Sequence, residues 1–144
     1  MLETVVMGEP RARFREAKFI LLTSYKRDGT GVPTQMWCVL DEGRLYVRTD
    51  STSYKVKRIA RNPSVEVAPC DFRGVPKGDS FSARAVEQPE SEAPRIAKLF
   101  AEKYPFAYHL EVWFLKPLHG ALGTIRLGKP RGDTIFYEIV PDQG

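Results

Sequence analysis

Three short apolar runs near the start of the chain, at 19–24 (FILLTS), 33–40 (PTQMWCVL) and 45–48 (LYVR), are separated only by the turn segments KRDGTG at 26–31 and DEGR at 41–44. This spacing restricts the fold more than any other feature of the sequence. Asp28-Gly29 between two strand-like runs is a hairpin signal, because glycine accepts the positive φ that such tight turns demand. The three runs therefore read as an antiparallel meander. Side chains alternate along a strand, so the second run places Thr34, Met36, Cys38 and Leu40 on one face and Gln35, Trp37 and Val39 on the other. Neither face is wholly polar, which suits a barrel wall or a buried interface.

Beyond the meander, Thr49, Ser51, Thr52 and Ser53 lead into a basic segment, 53–62, with helical spacing. Val56, Ile59 and Ala60 fall on its core face, Lys57, Arg58 and Arg61 point to solvent, and Asn62-Pro63 ends it. Further strands are expected at 65–69 and 80–86, joined by a Gly- and Pro-containing loop at 71–78. The period then turns helical over 91–104, where Ile96, Ala97, Leu99, Phe100 and Tyr104 share a face and Ser91 is the expected cap. A short helix is expected at 3–13 and another at 106–115; 122–127 is ambiguous, and 134–140 reads as a closing strand. Strands interspersed with few helices in 144 residues predict one domain over 1–144, a mainly β barrel with peripheral α-helices.

The order of strand, hydroxyl-rich turn and basic helix makes an anion site. A helix N-terminus presents unpaired N–H groups and a partial positive charge, and here Thr49 and Ser53 bring hydroxyls beside Lys55, Lys57 and Arg58. Phosphate is the expected guest. The usual catalytic kits are missing: His109 and His119 belong to no metal-ligand pattern, and no GxSxG, Walker or GxGxxG motif occurs. No metal site is expected, and chemistry would come from a bound redox cofactor that the protein binds and orients. Net charge is +4, with acidic residues interleaved among the basic ones and no nucleic-acid-binding motif, so nucleic acid is not the expected partner. The stretch 106–127 is broken by Glu111, Lys116, Pro117, His119 and glycines, which excludes a membrane span there. Cys38 and Cys70 lie in apolar runs without CxxC spacing and read as free thiols. With no secretory core in 1–13, the expected location is cytoplasmic.

The motifs FILLTS at 19–24, DGT at 28–30, VPT at 32–34 with Trp37, GRLYVRT at 43–49, KVKR at 55–58, RNP at 61–63 and VAPCD at 67–71 resemble the pyridoxamine 5'-phosphate oxidase-like split β-barrels. More narrowly, they resemble the branch of oxidoreductases that use the deazaflavin coenzyme F420. The resemblance runs from about 19 to 86 and continues weakly to the end of the chain. It implies an FMN-binding split-barrel fold and a homodimer with cofactor sites at the subunit interface. It also implies hydride transfer between F420 and a small organic substrate. FMN is the alternative cofactor, and non-catalytic binding of a flavin, deazaflavin or haem the alternative role. Thr49, Ser53 and Lys55 are the implied phosphate contacts. Where FMN-binding relatives carry a second arginine this chain has Tyr54, for which Arg48, Lys57 or Arg58 would compensate. The strand Thr34, Gln35, Met36 and Trp37 is implied to lie along the ring, with Pro69 and Cys70 bordering it.

Each assignment has a plainer alternative. Trp37 also suits the core or a dimer interface, Lys57, Arg58 and Arg61 a solvated helix face, and Cys70 a packed thiol. Tyr104, Phe106, Tyr108, Trp113 and Phe114 either roof a substrate pocket or dock helices on the barrel. Arg131-Gly132-Asp133 reads as a turn before the last strand.

Overall fold

The structure is a computed structural model, and it describes residues 10–15, 17–104 and 133–142. Six strands occur in it: β1 (Phe19–Tyr25), β2 (Gly31–Asp41), β3 (Arg44–Asp50), β4 (Ser64–Cys70), β5 (Phe81–Glu87) and β6 (Thr134–Pro141). They close into an antiparallel barrel in the order β1-β2-β3-β6-β5-β4. Helix α1 (Tyr54–Arg61) follows β3, and α2 (Ala93–Lys103) lies between β5 and β6. A 3-10 turn, Pro10–Phe14, stands where the longer N-terminal helix was expected. The expected segments at 106–115 and 122–127, and residues 3–9 of the first helix, lie outside the described residues.

The two hairpins explain the meander. Gly29 takes φ 89° in the first, where Asp28 Oδ1 accepts the Thr30 N–H at 2.9 Å. The β2–β3 connection has only Glu42 (φ 51°) and Gly43 (φ 78°) between the paired Asp41 and Arg44. Two consecutive positive φ values give the twist that lets a two-residue loop join right-twisted strands.

The alternation of β2 divides its side chains between two cores. Met36 and Cys38 point into the barrel with Ile20, Leu22, Leu45, Val47, Val67 and Ile139. Phe14 from the 3-10 turn and Ile59 from α1 complete that interior. Val39 points outward and packs with Tyr46, Phe136, the α2 residues Ile96 and Phe100, and Tyr104 at the end of α2, with Trp37 half-buried beside them. Helix α2 thus covers the outer face of β2, β3 and β6, which is why the 33–40 run has no polar side.

Two helix details differ from expectation. On α1 only Ile59 is buried; Ala60 is exposed, and Arg58 turns inward, its Nε donating to Ser24 Oγ at 2.7 Å. Ser24 is fully buried, and a hydroxyl there needs a partner, which favours the inward arginine over a solvated one. Ser91 is not the cap of α2: it lies in a 3-10 turn, Glu90–Glu92, and Glu92 holds the cap position without a side-chain cap bond. Glu92 Oε1 instead accepts from Arg95 Nε at 2.9 Å, and Pro94 enters the first turn, where its missing N–H is not needed.

Candidate functional site

At the end of β3 the backbone is bent into α1 by Asp50. Its Oδ1 accepts from Thr52 N at 2.8 Å and from Thr52 Oγ1 at 2.6 Å, while Asp50 O accepts from Ser53 N at 3.0 Å. This bend brings Thr49 Oγ1 to 3.3 Å from Ser53 Oγ. Ser53 occupies the cap position of α1 with extended backbone, yet its hydroxyl makes no bond to the helix, and no acidic residue lies in the first turn. Lys55 is half-buried beside this pair. Burial lowers its pKa first and the charge of Arg58 lowers it further, against the opposing pull of Asp50. A desolvated cation, two adjacent hydroxyls and the positive end of a helix dipole form a rim whose electrostatics favour an anion.

The adjacent residue, Arg48, faces outward. Its guanidinium carbon lies 5.4 Å from the centre of the Trp37 ring, and Trp37 stacks on Tyr104 with centroids 4.6 Å apart and planes 9° from parallel. Arg48 also lines a cleft of ≈ 440 Å³ with Ala93 and Phe100 of α2 and Phe136 of β6. Tyr104 fixes this pile from behind. Between β1 and β2 the ladder stops at Phe19 opposite Trp37, and the Tyr104 hydroxyl occupies the next step. It accepts from Cys38 N at 3.1 Å and lies within donating distance of Lys18 O (2.5 Å) and Cys38 O (2.6 Å). Lys103 Nζ donates to Cys38 O at 2.8 Å and to Ala17 O. Burial pushes the Cys38 thiol up to about 11 and raises the Tyr104 phenol, so both stay protonated.

The remaining expected site residues are dispersed. Thr34, opposite Leu22, is half-buried; Met36 is in the barrel core, so its side chain is not presented to a ligand. Gln35 is exposed, and its Nε2 donates to Asp71 O at 2.8 Å. Lys57 is exposed over the Tyr54 ring at 5.5 Å, and Arg58 is engaged by Ser24. Pro69 and Cys70 line another cleft, of ≈ 480 Å³, at the junction of β1 and β4. Three ladder steps separate β4 from β3, roughly 14 Å along the wall, so within one chain these two residues do not belong to the Lys55 rim. No group of His, Cys, Asp or Glu that could hold a metal ion occurs among the described residues.

The sequence matches the pyridoxamine 5'-phosphate oxidase family over residues 7–142. The chain belongs to this family. Solved structures share its fold at low identity. Protein Atu2129 of Agrobacterium tumefaciens, of unknown function, matches with TM-score 0.66 and 15% identity over 98% of this chain, which spans only 55% of that protein's length. A FAD-binding protein (mll6688) of Mesorhizobium loti matches with TM-score 0.61 and 16% identity, covering 94% of this chain and 89% of that one. An F420 reductase matches with TM-score 0.52 and 16% identity, covering 94% of each chain. No curated protein matches the sequence. These structures share the barrel with this chain.

Proposed function

We propose that this protein is an F420-dependent oxidoreductase that transfers a hydride between deazaflavin and a small organic substrate, acting in the cytoplasm as a homodimer with each chain one domain over 1–144. The observation that carries the reading is the Thr49–Ser53–Lys55 rim. In a family of this fold, it joins two hydroxyls 3.3 Å apart with a cation that burial and Arg58 both destabilise. The cofactor's phosphate supplies the missing negative charge and accepts from both hydroxyls and from helix N–H groups. Arg48 and Trp37, one residue from the rim and across from it on β2, provide a flat cationic and aromatic surface for a ring system. The residues present fit a phosphorylated, planar cofactor. The F420 reductase of the same fold supports deazaflavin, and the FAD-binding relative supports a flavin as alternative.

When bound, the deazaflavin supplies the hydride chemistry. The chain's own residues have other tasks: Lys55 holds the phosphate charge, Thr49 and Ser53 fix its orientation, and the barrel wall behind Trp37 excludes water from one face of the ring. Pro69 and Cys70 reach the cofactor only if a second copy presents its β1–β4 junction to this rim, as the homodimer would require.

Titration of the protein with F420 and with FMN, followed by oxidation of reduced F420 with a panel of conjugated acceptors, tests the reading. We expect F420 to bind more tightly and turnover to follow; FMN binding without response to F420 would refute it. Lys55→Ala should weaken F420 binding by about tenfold or more, the scale of a charge-assisted contact. Because Lys55 must be protonated to hold an anion and its pKa is lowered, wild-type affinity should fall as pH rises through the alkaline range, and Lys55→Arg should flatten that fall.

A further inference from the structure

The turn that carries the Lys55 rim is tied to the barrel by a residue with no place in the rim itself. Strands β3 and β6 pair in a fixed register whose last rung sets Asp50 opposite Thr134, so the next residues to face each other are Ser51 and Asp133. A hydrogen-bonded pair in an antiparallel ladder exchanges two backbone bonds. Ser51 N donates to Asp133 O at 2.8 Å, as that pattern requires. The return bond differs: Asp133 N donates to the Ser51 hydroxyl at 3.0 Å, the place that a regular rung gives to a carbonyl. At this point the chain is already turning toward α1, with Thr52 N bonded to Asp50 Oδ1 and Ser53 N to Asp50 O. A side-chain oxygen reaches back where the departing carbonyl does not, so β3 leaves the sheet and the Asp133 N–H keeps an acceptor.

This side-chain rung does what the other bonds of the turn do not. The bonds from Thr52 and Ser53 to Asp50 close the turn on itself, whereas the two bonds of Ser51 join it to a strand 82 positions later. They oppose rotation of the turn as a body. Thr49 and Ser53 flank Ser51 at equal distance in sequence, and their hydroxyls are 3.3 Å apart, so the direction in which Ser51 is held sets how the pair is presented. Asp133 also lines the cleft that Arg48 enters, which fixes the rim relative to that side of the barrel. Ser51 is half-buried and Asp133 exposed, so water replaces a lost hydroxyl there and global stability changes little. The contribution is to geometry: donors already in place bind an anion without being ordered by it.

We propose that Ser51 is a positioning residue for the anion rim: by completing the last β3–β6 rung, its hydroxyl holds Thr49, Ser53 and Lys55 in the arrangement that a phosphate meets. The proposal rests on the reading of this rim as the cofactor's phosphate site, and it gives Ser51 no contact with the ligand.

Fluorescence titration of the full chain with two ligand pairs tests it: FMN with riboflavin, and F420 with its deazaflavin core, which lacks the phosphate and the tail beyond it. In wild type the phosphorylated member should bind more tightly than its partner. Ser51→Ala should reduce that gain about fivefold, leave the phosphate-free member unchanged and keep Tm within roughly 2 °C of wild type. Ser51→Thr retains the hydroxyl and should restore the gain. Without any ligand, the Ser53 amide hydrogen, bonded to Asp50 O, should exchange faster in Ser51→Ala. An unaltered gain in Ser51→Ala, an equal loss for the phosphate-free ligand, a loss that Ser51→Thr does not repair, or unaltered Ser53 exchange would each overturn this proposal alone. A wild type that gains nothing from the phosphate would overturn the reading of the rim, and this proposal with it.

Discussion

Replacing Tyr104 by phenylalanine removes one oxygen atom and tests how the barrel seam is held. That oxygen lies where a further rung of the β1–β2 ladder would be, serving Cys38 N at 3.1 Å, Lys18 O at 2.5 Å and Cys38 O at 2.6 Å. Phenylalanine keeps the ring stacked 4.6 Å from Trp37, so aromatic packing is retained. Cys38 O keeps Lys103 Nζ at 2.8 Å, and the Lys18 backbone belongs to an exposed residue that water reaches. The loss therefore concentrates on the Cys38 N–H, left without a partner in a residue with 0% exposure. An orphaned buried donor costs about 1–3 kcal/mol, and we expect about 2 kcal/mol for this variant. For a domain of this size that lowers Tm by roughly 8 °C. Urea unfolding should show the same loss as a shifted midpoint with an unchanged slope. Tyr104→Leu, which also deletes the stack, should lose roughly 1 kcal/mol more. If Tyr104→Phe costs less than about 0.5 kcal/mol while Tyr104→Leu costs several, the ring alone holds the seam and the hydroxyl account is wrong.

Two further predictions concern other parts of the barrel. The Cys38 thiol is raised from 9.0 to about 11 by burial, so the unfolded chain ionises first, and stability from this group is lost as pH rises from about 9 through about 11. Denaturant titrations across that range should show the decline, Cys38→Ala should reduce it, and a disulfide reagent at neutral pH should react with neither Cys38 nor Cys70 until the chain unfolds. Glu42 holds φ 51° in the β2–β3 turn, a region that asparagine and glycine enter more readily. Glu42→Asn should raise stability by about 0.5 kcal/mol, read as an increased urea midpoint, and a decrease would contradict the turn assignment.

The meander was legible because its information is local: Asp28-Gly29 and Glu42-Gly43 determine the turns, and the runs between them are too short for anything but strands. The closing strand expected at 134–140 is β6, and the order of strand, hydroxyl-rich turn and basic helix expected around Thr49, Ser53 and Lys55 is the order found. What escaped was set by distant partners. Arg58 reads as a solvated helix residue until Ser24, 34 positions earlier, is seen to need a donor. Met36 sits in a motif implied to touch a cofactor, yet the same alternation that exposes Gln35 sends it into the core. Tyr104 was visible as part of a helix face and of an aromatic-rich region, but nothing near it in sequence signals a hydroxyl that reaches Lys18, just before β1, and Cys38 of β2, 86 and 66 residues away. Ser91 had the right residue type for a cap, but the 3-10 turn had already begun there.

The strand order has a consequence for assembly. Because β6 bonds to both β3 and β5, each of the six described strands has a neighbour on each side, but the rows are not filled: Gly31–Trp37 of β2 pair with β1 alone, since β3 meets β2 only over Cys38–Asp41. A second copy thus has that stretch of β2 backbone, as well as faces and loops, to dock against. The last strand is also what keeps self-association orderly: cutting the chain before Thr134 would unzip the barrel into a sheet with two bare margins, β3 and β5, each competent to pair with its own kind.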